Sequence, residues 1–78
     1  PWAEIDGGAV RRRAGHFELT VTDQRAYSCG WSWRVTLPPH EAEIEFVWGC
    51  ETADDAKRAA EEWVRAFCRR AIESVSVS

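Results

Sequence analysis

Three cysteines and two histidines are the residues of this 78-residue chain that could bind zinc or form a nucleophile–base pair. They are Cys29, Cys50, Cys68, His16 and His40. A structural zinc site needs four ligands, usually in closely spaced pairs, and these residues form no such pair. The chain also lacks a G-x-S-x-G motif and a glycine-rich phosphate loop. We therefore predict no catalytic residue, no metal and no cofactor: the chain is not expected to be an enzyme.

Acidic residues are concentrated in the second half of the chain. They are Glu41, Glu43, Glu45, Glu51, Asp54 and Asp55, called the acidic group below. On a strand the three glutamates at 41–45 would share one face at a spacing of about 7 Å. We predict that the acidic group binds a protein partner with a basic surface, such as a nucleic-acid-binding complex. The alternative is that these charges only cap a helix and keep an edge strand soluble.

Basic residues give a second hypothesis, a nucleic-acid-binding or regulatory module. Arg11, Arg12 and Arg13 form the one basic run, and Arg34 falls on the polar side of a predicted strand. These side chains could contact phosphates. The net charge of −3 opposes non-specific binding to nucleic acid. The alternation of the strands also places no aromatic residue on the polar face, where RNA-binding sheets stack bases, so we favour the protein partner.

Period-two alternation predicts three strands, at about 17–22, 27–37 and 41–48. The inward residues of the second strand are Tyr27, Cys29, Trp31, Trp33, Val35 and Leu37. Those of the third are Ala42, Ile44, Phe46 and Trp48, which leaves its glutamates outward. A turn signal at 6–8 followed by an apolar-to-basic segment at 9–13 indicates a fourth strand at the sheet edge. Short connections predict an antiparallel meander.

A helix is predicted over about 53–73, because Thr52 is a good N-cap with Asp55 three residues later. Its apolar stripe is Ala56, Ala60, Trp63, Phe67 and Ala71. We expect Trp63 and Phe67 to fill the space against Trp31, Trp33 and Trp48. Residues 74–78 are predicted to be a loose tail or a strand that pairs with a partner. The fold class is α+β: a three- to four-stranded antiparallel meander packed on one C-terminal amphipathic helix.

A length of 78 residues predicts a single domain, 1–78. Five tryptophans supply the rich core that so short a chain needs. No apolar run approaches the ~20 residues of a membrane span, and no signal peptide is recognisable at the start. Three cysteines without a disulfide framework predict a reducing, cytoplasmic location, the bacterial host cytoplasm if a phage encodes the chain. A homodimer is compatible with these features.

The segment from Gly49 to Glu61 resembles the strand-to-helix junction of HicB-type antitoxin domains, which have a β-β-β-α core. That resemblance implies inhibition of a partner RNase, although the usual Pro-Asp-x-Pro-Gly stretch before the third strand is missing. In kind, as a tiny, acidic, motif-free α+β chain, the protein is similar to phage anti-CRISPR proteins. Those are in the main non-enzymatic and occupy a surface of a CRISPR effector complex. We therefore predict a protein-binding inhibitor from a phage or mobile element.

Overall fold

A computed structural model describes residues 2–5, 7–38 and 42–77. The strands are β1 (Ala3–Ile5), β2 (Ala9–Ala14), β3 (Phe17–Asp23), β4 (Trp31–Leu37) and β5 (Ala42–Cys50). A 3₁₀ turn covers Arg25–Tyr27, and one helix, α1, covers Ala53–Val77. Within the described residues, no helix is long and apolar enough to cross a membrane.

The five strands form one antiparallel sheet in the order β1-β2-β3-β4-β5, so the α+β meander with a C-terminal helix is confirmed. The predicted fourth strand is present as β2. It is an interior strand and not the predicted edge, because β1 pairs with it on its outer side. Gly7 and Gly8 make that extra hairpin, since both adopt positive φ angles of 80° and 72°.

The core lies between α1 and strands β3 and β4. Its fully enclosed sheet residues are Leu19, Val21 and Val35, and the small Ala56 and Ala60 face them from the helix. Alanines at these positions let the helix backbone approach the sheet closely. Trp33 is also buried in this layer, so the tryptophan-rich sheet does contribute to the core.

The aromatic residues of α1 pack against Phe17 at one end of the sheet. The Phe17 ring lies 6.0 Å from Trp63 and 5.3 Å from Phe67, in both cases edge to face. The prediction that Trp48 meets this cluster is wrong, because Trp48 lies on the other face of the sheet. The helix also extends beyond its predicted end at residue 73, because residues 74–77 are helical too. Ala71 is exposed there, so the predicted apolar stripe extends beyond the sheet that would cover it.

The connection from β3 to β4 is longer than predicted, because β4 begins at Trp31 and not at residue 27. The Asp23 carboxylate accepts hydrogen bonds from the Arg25 backbone N–H at 3.0 Å and from its guanidinium at 2.8–2.9 Å. Ser28 then adopts a left-handed conformation with φ 61°. Tyr27 and Cys29 therefore lie in a turn and not on the inward face, and the Tyr27 side chain is exposed.

Candidate protein-binding surface

Strand β5 forms one edge of the sheet and is nine residues long. In the described sheet it pairs with β4 on one side, so its other side carries backbone groups that no strand covers. Long edge strands with apolar side chains are liabilities that proteins usually shorten, cover or charge. The exposure of β5 is therefore the feature that most needs a functional explanation.

A first bulge changes the alternation of β5. The β4–β5 register pairs Thr36 with Glu43, and the next residue of β4, Val35, pairs with Glu45. Ile44 is the extra residue between them. Because two residues of β5 oppose one of β4, the residues of β5 that follow, up to the next irregularity, turn to the opposite face from the one that simple alternation predicts.

A second bulge restores the original alternation near the end of the strand. Trp33 pairs with Val47 and Trp31 pairs with Cys50, so β5 again gains one residue. Gly49 lies in this interval with φ 90°, a conformation that suits glycine at a bulge. The phase of the strand is therefore inverted only between the two bulges, over residues 45–48.

The inverted segment presents its aromatic side chains on the face away from the helix. Phe46 is 38% and Trp48 is 64% exposed, and their rings meet edge to face at 6.0 Å. The prediction that Phe46 and Trp48 point inward is wrong for this reason. Ile44 is 40% exposed, and Val47, which pairs with Trp33 and therefore lies on the helix side of the sheet, is 37% exposed. These four residues, 44 and 46–48, are called the β5 apolar strip below.

Glu45 does not lie on the sheet face that alternation predicts for it. The register sets it opposite the core residue Val35, and it is half-buried, whereas Glu43 pairs with Thr36 on the open face. The Phe46 backbone N–H donates a hydrogen bond of 3.1 Å to Glu45 Oε1. The expected shared face of the two glutamates is therefore wrong, and Glu45 instead satisfies a backbone donor of the edge strand.

The structure places the acidic group at the two ends of the β5 apolar strip. Glu43 lies near the start of β5, and its carboxylate is 3.8 Å from Arg34. Glu51 lies just beyond the other end, roughly 20 Å away by strand rise, and Asp54 and Asp55 follow in the first turn of α1. Glu41 lies outside the described residues. The group is thus not one patch, since the exposed aromatic residues lie between its two halves.

The acids at the helix start also serve the helix. Thr52 Oγ1 accepts a hydrogen bond of 3.0 Å from the Asp55 backbone N–H, which confirms the predicted N-cap. Asp54 lies 4.0 Å from Lys57 and Asp55 lies 3.6 Å from Arg58. These exposed pairs contribute little to stability, so both carboxylates stay accessible to a partner.

Three of the four candidate arginines lie on the open face and are paired with acids there. The Glu18 carboxylate is 3.1 Å from the Arg11 guanidinium and 3.8 Å from that of Arg13, and Arg34 is paired with Glu43. The cleft between these pairs has a volume of about 70 Å³, which is the space of roughly two waters. Two arginines and two glutamates line the cleft, so the cleft offers a phosphate little unpaired positive charge.

Arg12, the fourth arginine, lies on the helix side of the sheet. Its guanidinium is paired with Glu61 of α1, and Trp2 Nε1 donates to the same carboxylate at 3.2 Å. The Trp2 ring also lies 5.9 Å from the ammonium group of Lys57. Arg12 therefore fastens the first strands to the helix and is not part of an outward basic surface.

The cysteines lie in separate environments. Cys29 is in the turn before β4, where its Sγ donates to the Tyr27 carbonyl at 3.4 Å, Cys50 ends β5, and Cys68 is exposed on α1. Burial and the nearby Asp55 carboxylate raise the pKa of the Cys50 thiol. In the part of the chain that the structure describes, no three acidic, cysteine or histidine side chains lie close enough to hold a metal.

Unbroken alternation does not predict the β5 apolar strip. Two signals could have revealed it. Gly49 directly follows the strand predicted over 41–48, and a glycine in a strand often marks a bulge. Phe46, Val47 and Trp48 are also consecutive and apolar, so one face or the other of an edge strand must expose some of them.

Comparison of the chain with models of protein families, with curated proteins and with solved structures finds no match. The resemblances to HicB-type antitoxin domains and to phage anti-CRISPR proteins therefore stay predictions. The surface around β5 is the strongest structural guide to function that the chain offers.

Proposed function

We propose that this protein is a non-enzymatic binding module that acts by occupying a basic surface of another protein, with the β5 apolar strip at the centre of the interface. The observation that carries the proposal is that Phe46 and Trp48 are exposed together on the open face of an edge strand whose Ile44 and Val47 are exposed as well. Contiguous exposed apolar patches usually mark interaction sites. Trp and other large aromatic residues are frequent at the centre of protein interfaces.

The acidic residues at both ends of the strip support a basic partner. Glu43 on one side and Glu51 and Asp54 on the other form a charged border around an apolar centre, which is the usual anatomy of an interface. Negative charge at this border would accelerate encounter with a positive surface and set the orientation of binding. A bacterial nucleic-acid-binding complex presents such a surface, so we propose an antagonist of that class, encoded by a phage or mobile element.

The nucleic-acid-binding or antitoxin-type module is the second candidate, and one observation favours it. Phe46 and Trp48 are exposed on an open sheet face, and Phe46 is opposite Arg34 in the register. Exposed aromatic residues beside arginine are what single-stranded nucleic acids stack upon. The paired state of Arg11, Arg13 and Arg34 and the net charge of −3 weigh against it. Binding to single-stranded DNA or RNA that weakens steeply with salt would select this candidate.

The test of the first candidate is quantitative affinity capture from host extract with matched variants. Phe46→Ser combined with Trp48→Ser removes the aromatic centre, and Ile72→Ser is the control, because Ile72 is an exposed apolar residue near the far end of α1. The amount of a specific partner captured should fall by about tenfold or more with the double variant and stay the same with the control. Glu43→Lys should weaken capture most at low salt. Equal capture by the double variant would exclude the strip as the interface.

A further inference from the structure

We infer that the β5 edge binds its partner by strand addition: an extended segment of the partner, rich in lysine or arginine, pairs with residues 44–48 as a sixth strand of the sheet. The inference rests on the proposed function and specifies its mode of binding. Strand addition obtains its affinity from main-chain hydrogen bonds and its specificity from alternate side chains. It therefore requires backbone groups that face away from β4, and these can be identified.

The Phe46 amide is such a group. Its N–H donates to the side chain of Glu45 and therefore not to a carbonyl of β4. In an antiparallel ladder, paired residues alternate between bonded and non-bonded positions. The Phe46–Arg34 pair is then a non-bonded one, and the pairs formed by Glu45 and Val47 on either side are the bonded ones. The N–H and C=O of Phe46 thus face the free edge at the middle of the strand.

The two bulges delimit the segment that can accept a strand. Between them, residues 45–47 follow β4 in a regular register, and the irregularities lie at Ile44 and near Gly49. Bulges twist an edge away from further pairing. A partner strand is consequently confined to about five residues centred on Phe46, with the exposed Phe46 and Trp48 rings on one side of it.

The Glu45 carboxylate takes the position in which a backbone carbonyl of a partner strand would accept the Phe46 hydrogen bond. It occupies the Phe46 N–H, which protects the edge until a backbone carbonyl of the partner replaces it. Displacement would leave the carboxylate next to the incoming strand, where a lysine or arginine of that strand can pair with it. Glu43 stands two positions away with its carboxylate half exposed. The edge therefore selects a segment with basic residues.

The same charges disfavour a second copy of this chain as the occupant. Two β5 strands paired antiparallel about Phe46 would each release a Glu45 carboxylate, and the two carboxylates would be diagonal neighbours about 7–8 Å apart. Like charges at that distance oppose pairing. A basic segment of another protein meets the same carboxylates with attraction, so we assign the site to it.

The test uses the full chain and two synthetic peptides of nine residues, one alternating valine with lysine and the other alternating valine with glutamate. Addition of the lysine peptide should slow hydrogen exchange of the Phe46 amide by about tenfold or more and leave the Leu19 amide unchanged. The glutamate peptide should have no effect. An unchanged Phe46 amide at saturating lysine peptide, or equal protection by the glutamate peptide, would overturn the inference.

A second arm blocks the Phe46 hydrogen-bond donor at the edge without changing a side chain. A chain prepared by chemical synthesis with an N-methyl group on Phe46 keeps both rings but cannot donate at the edge. It should bind the lysine peptide about tenfold more weakly than the unmodified chain, with an unchanged circular dichroism spectrum as the control for folding. Equal binding by the N-methyl chain would exclude strand addition. Sedimentation of the protein alone as a dimer that the N-methyl group disrupts would assign the edge to a second copy and overturn the basic segment as its occupant.

The capture experiment separates failure of this inference from failure of the proposed function. If Phe46→Ser with Trp48→Ser abolishes capture and the N-methyl chain retains it, the strip binds a protein through its side chains and strand addition is wrong. If both modified chains capture the partner as the natural chain does, the proposed interface itself is wrong.

Discussion

Phe46 lies directly opposite Arg34 in the β4–β5 ladder, on the face of the sheet that the helix does not cover. The bulge at Ile44 causes this placement, since without it the ring would face the core. The same pairing leaves the Phe46 amide directed at the free edge, where Glu45 receives it. Phe46 thus supplies both the exposed ring and the backbone donor on which the proposed binding mode depends.

Removing a core residue should cost far more stability than removing an aromatic residue of the strip. Leu19 is 0% exposed, whereas Trp48 is 64% exposed. We expect Leu19→Ala to lower the free energy of unfolding by about 2–5 kcal/mol. Trp48→Ser should lower it by less than about 1 kcal/mol, because surface substitutions rarely cost more. Urea denaturation measures both, and a larger loss for Trp48→Ser would place that ring in the core.

The N-cap of α1 gives a second prediction. Thr52→Ala removes the acceptor of the Asp55 N–H and should lower the free energy of unfolding by about 0.5–2 kcal/mol. Thr52→Ser keeps the hydroxyl and should retain most of the stability. Thermal unfolding followed by circular dichroism compares the two. Equal losses for alanine and serine would show that the hydroxyl does not cap the helix.

The raised pKa of Cys50 predicts that its thiol reacts slowly with alkylating reagents. Burial disfavours the thiolate, and the Asp55 carboxylate disfavours it further, so the pKa lies above its ordinary value of 9.0. In a chain with Cys29→Ser and Cys68→Ser, the pH midpoint of iodoacetamide alkylation should be higher in the folded protein than in denaturant. Asp55→Asn should lower the folded midpoint part of the way. A folded midpoint at or below that of the denatured chain would contradict the assignment.

The Asp23–Arg25 turn predicts a pH dependence with a definite sign. Hydrogen bonds from Arg25 lower the pKa of Asp23 from 3.8 to about 2. A carboxylate with a lowered pKa favours the folded state above its unfolded pKa, and that contribution disappears as the pH falls from about 4 to about 2. A carbon-detected NMR titration should give a midpoint of about 2 for Asp23. Arg25→Gln should return the midpoint toward 3.8, and an unchanged midpoint would rule out the pairing.

The local features of this chain could be predicted from the sequence because short-range physics fixes them. Thr52 caps the helix wherever the helix packs, and the alanines at 56 and 60 mark its core side. The alternation of 17–22 gives the inward Leu19 and Val21 of β3. Each of these depends on residues within one or two turns or on a single period, and the structure confirms each.

The candidate site was predicted less well, since it depends on how strands align. The acidic residues were identified, but their separation by the exposed strip and the capping of Phe46 by Glu45 were not. The four arginines were treated as free charges, whereas Glu18, Glu43 and Glu61 pair with them. These acids lie on other strands or on the helix, so the spacing of residues along the chain does not predict the ion pairs.

By itself, the sequence determined the fold class, the helix start and the inward face of β3. The tertiary structure alone decided which face Phe46 and Trp48 occupy. A strand's faces follow from its register with a neighbour, and a single extra residue in that register inverts them. The two bulges of β5 are such extra residues, so aromatic residues that alternation assigns to the core become the centre of an exposed edge.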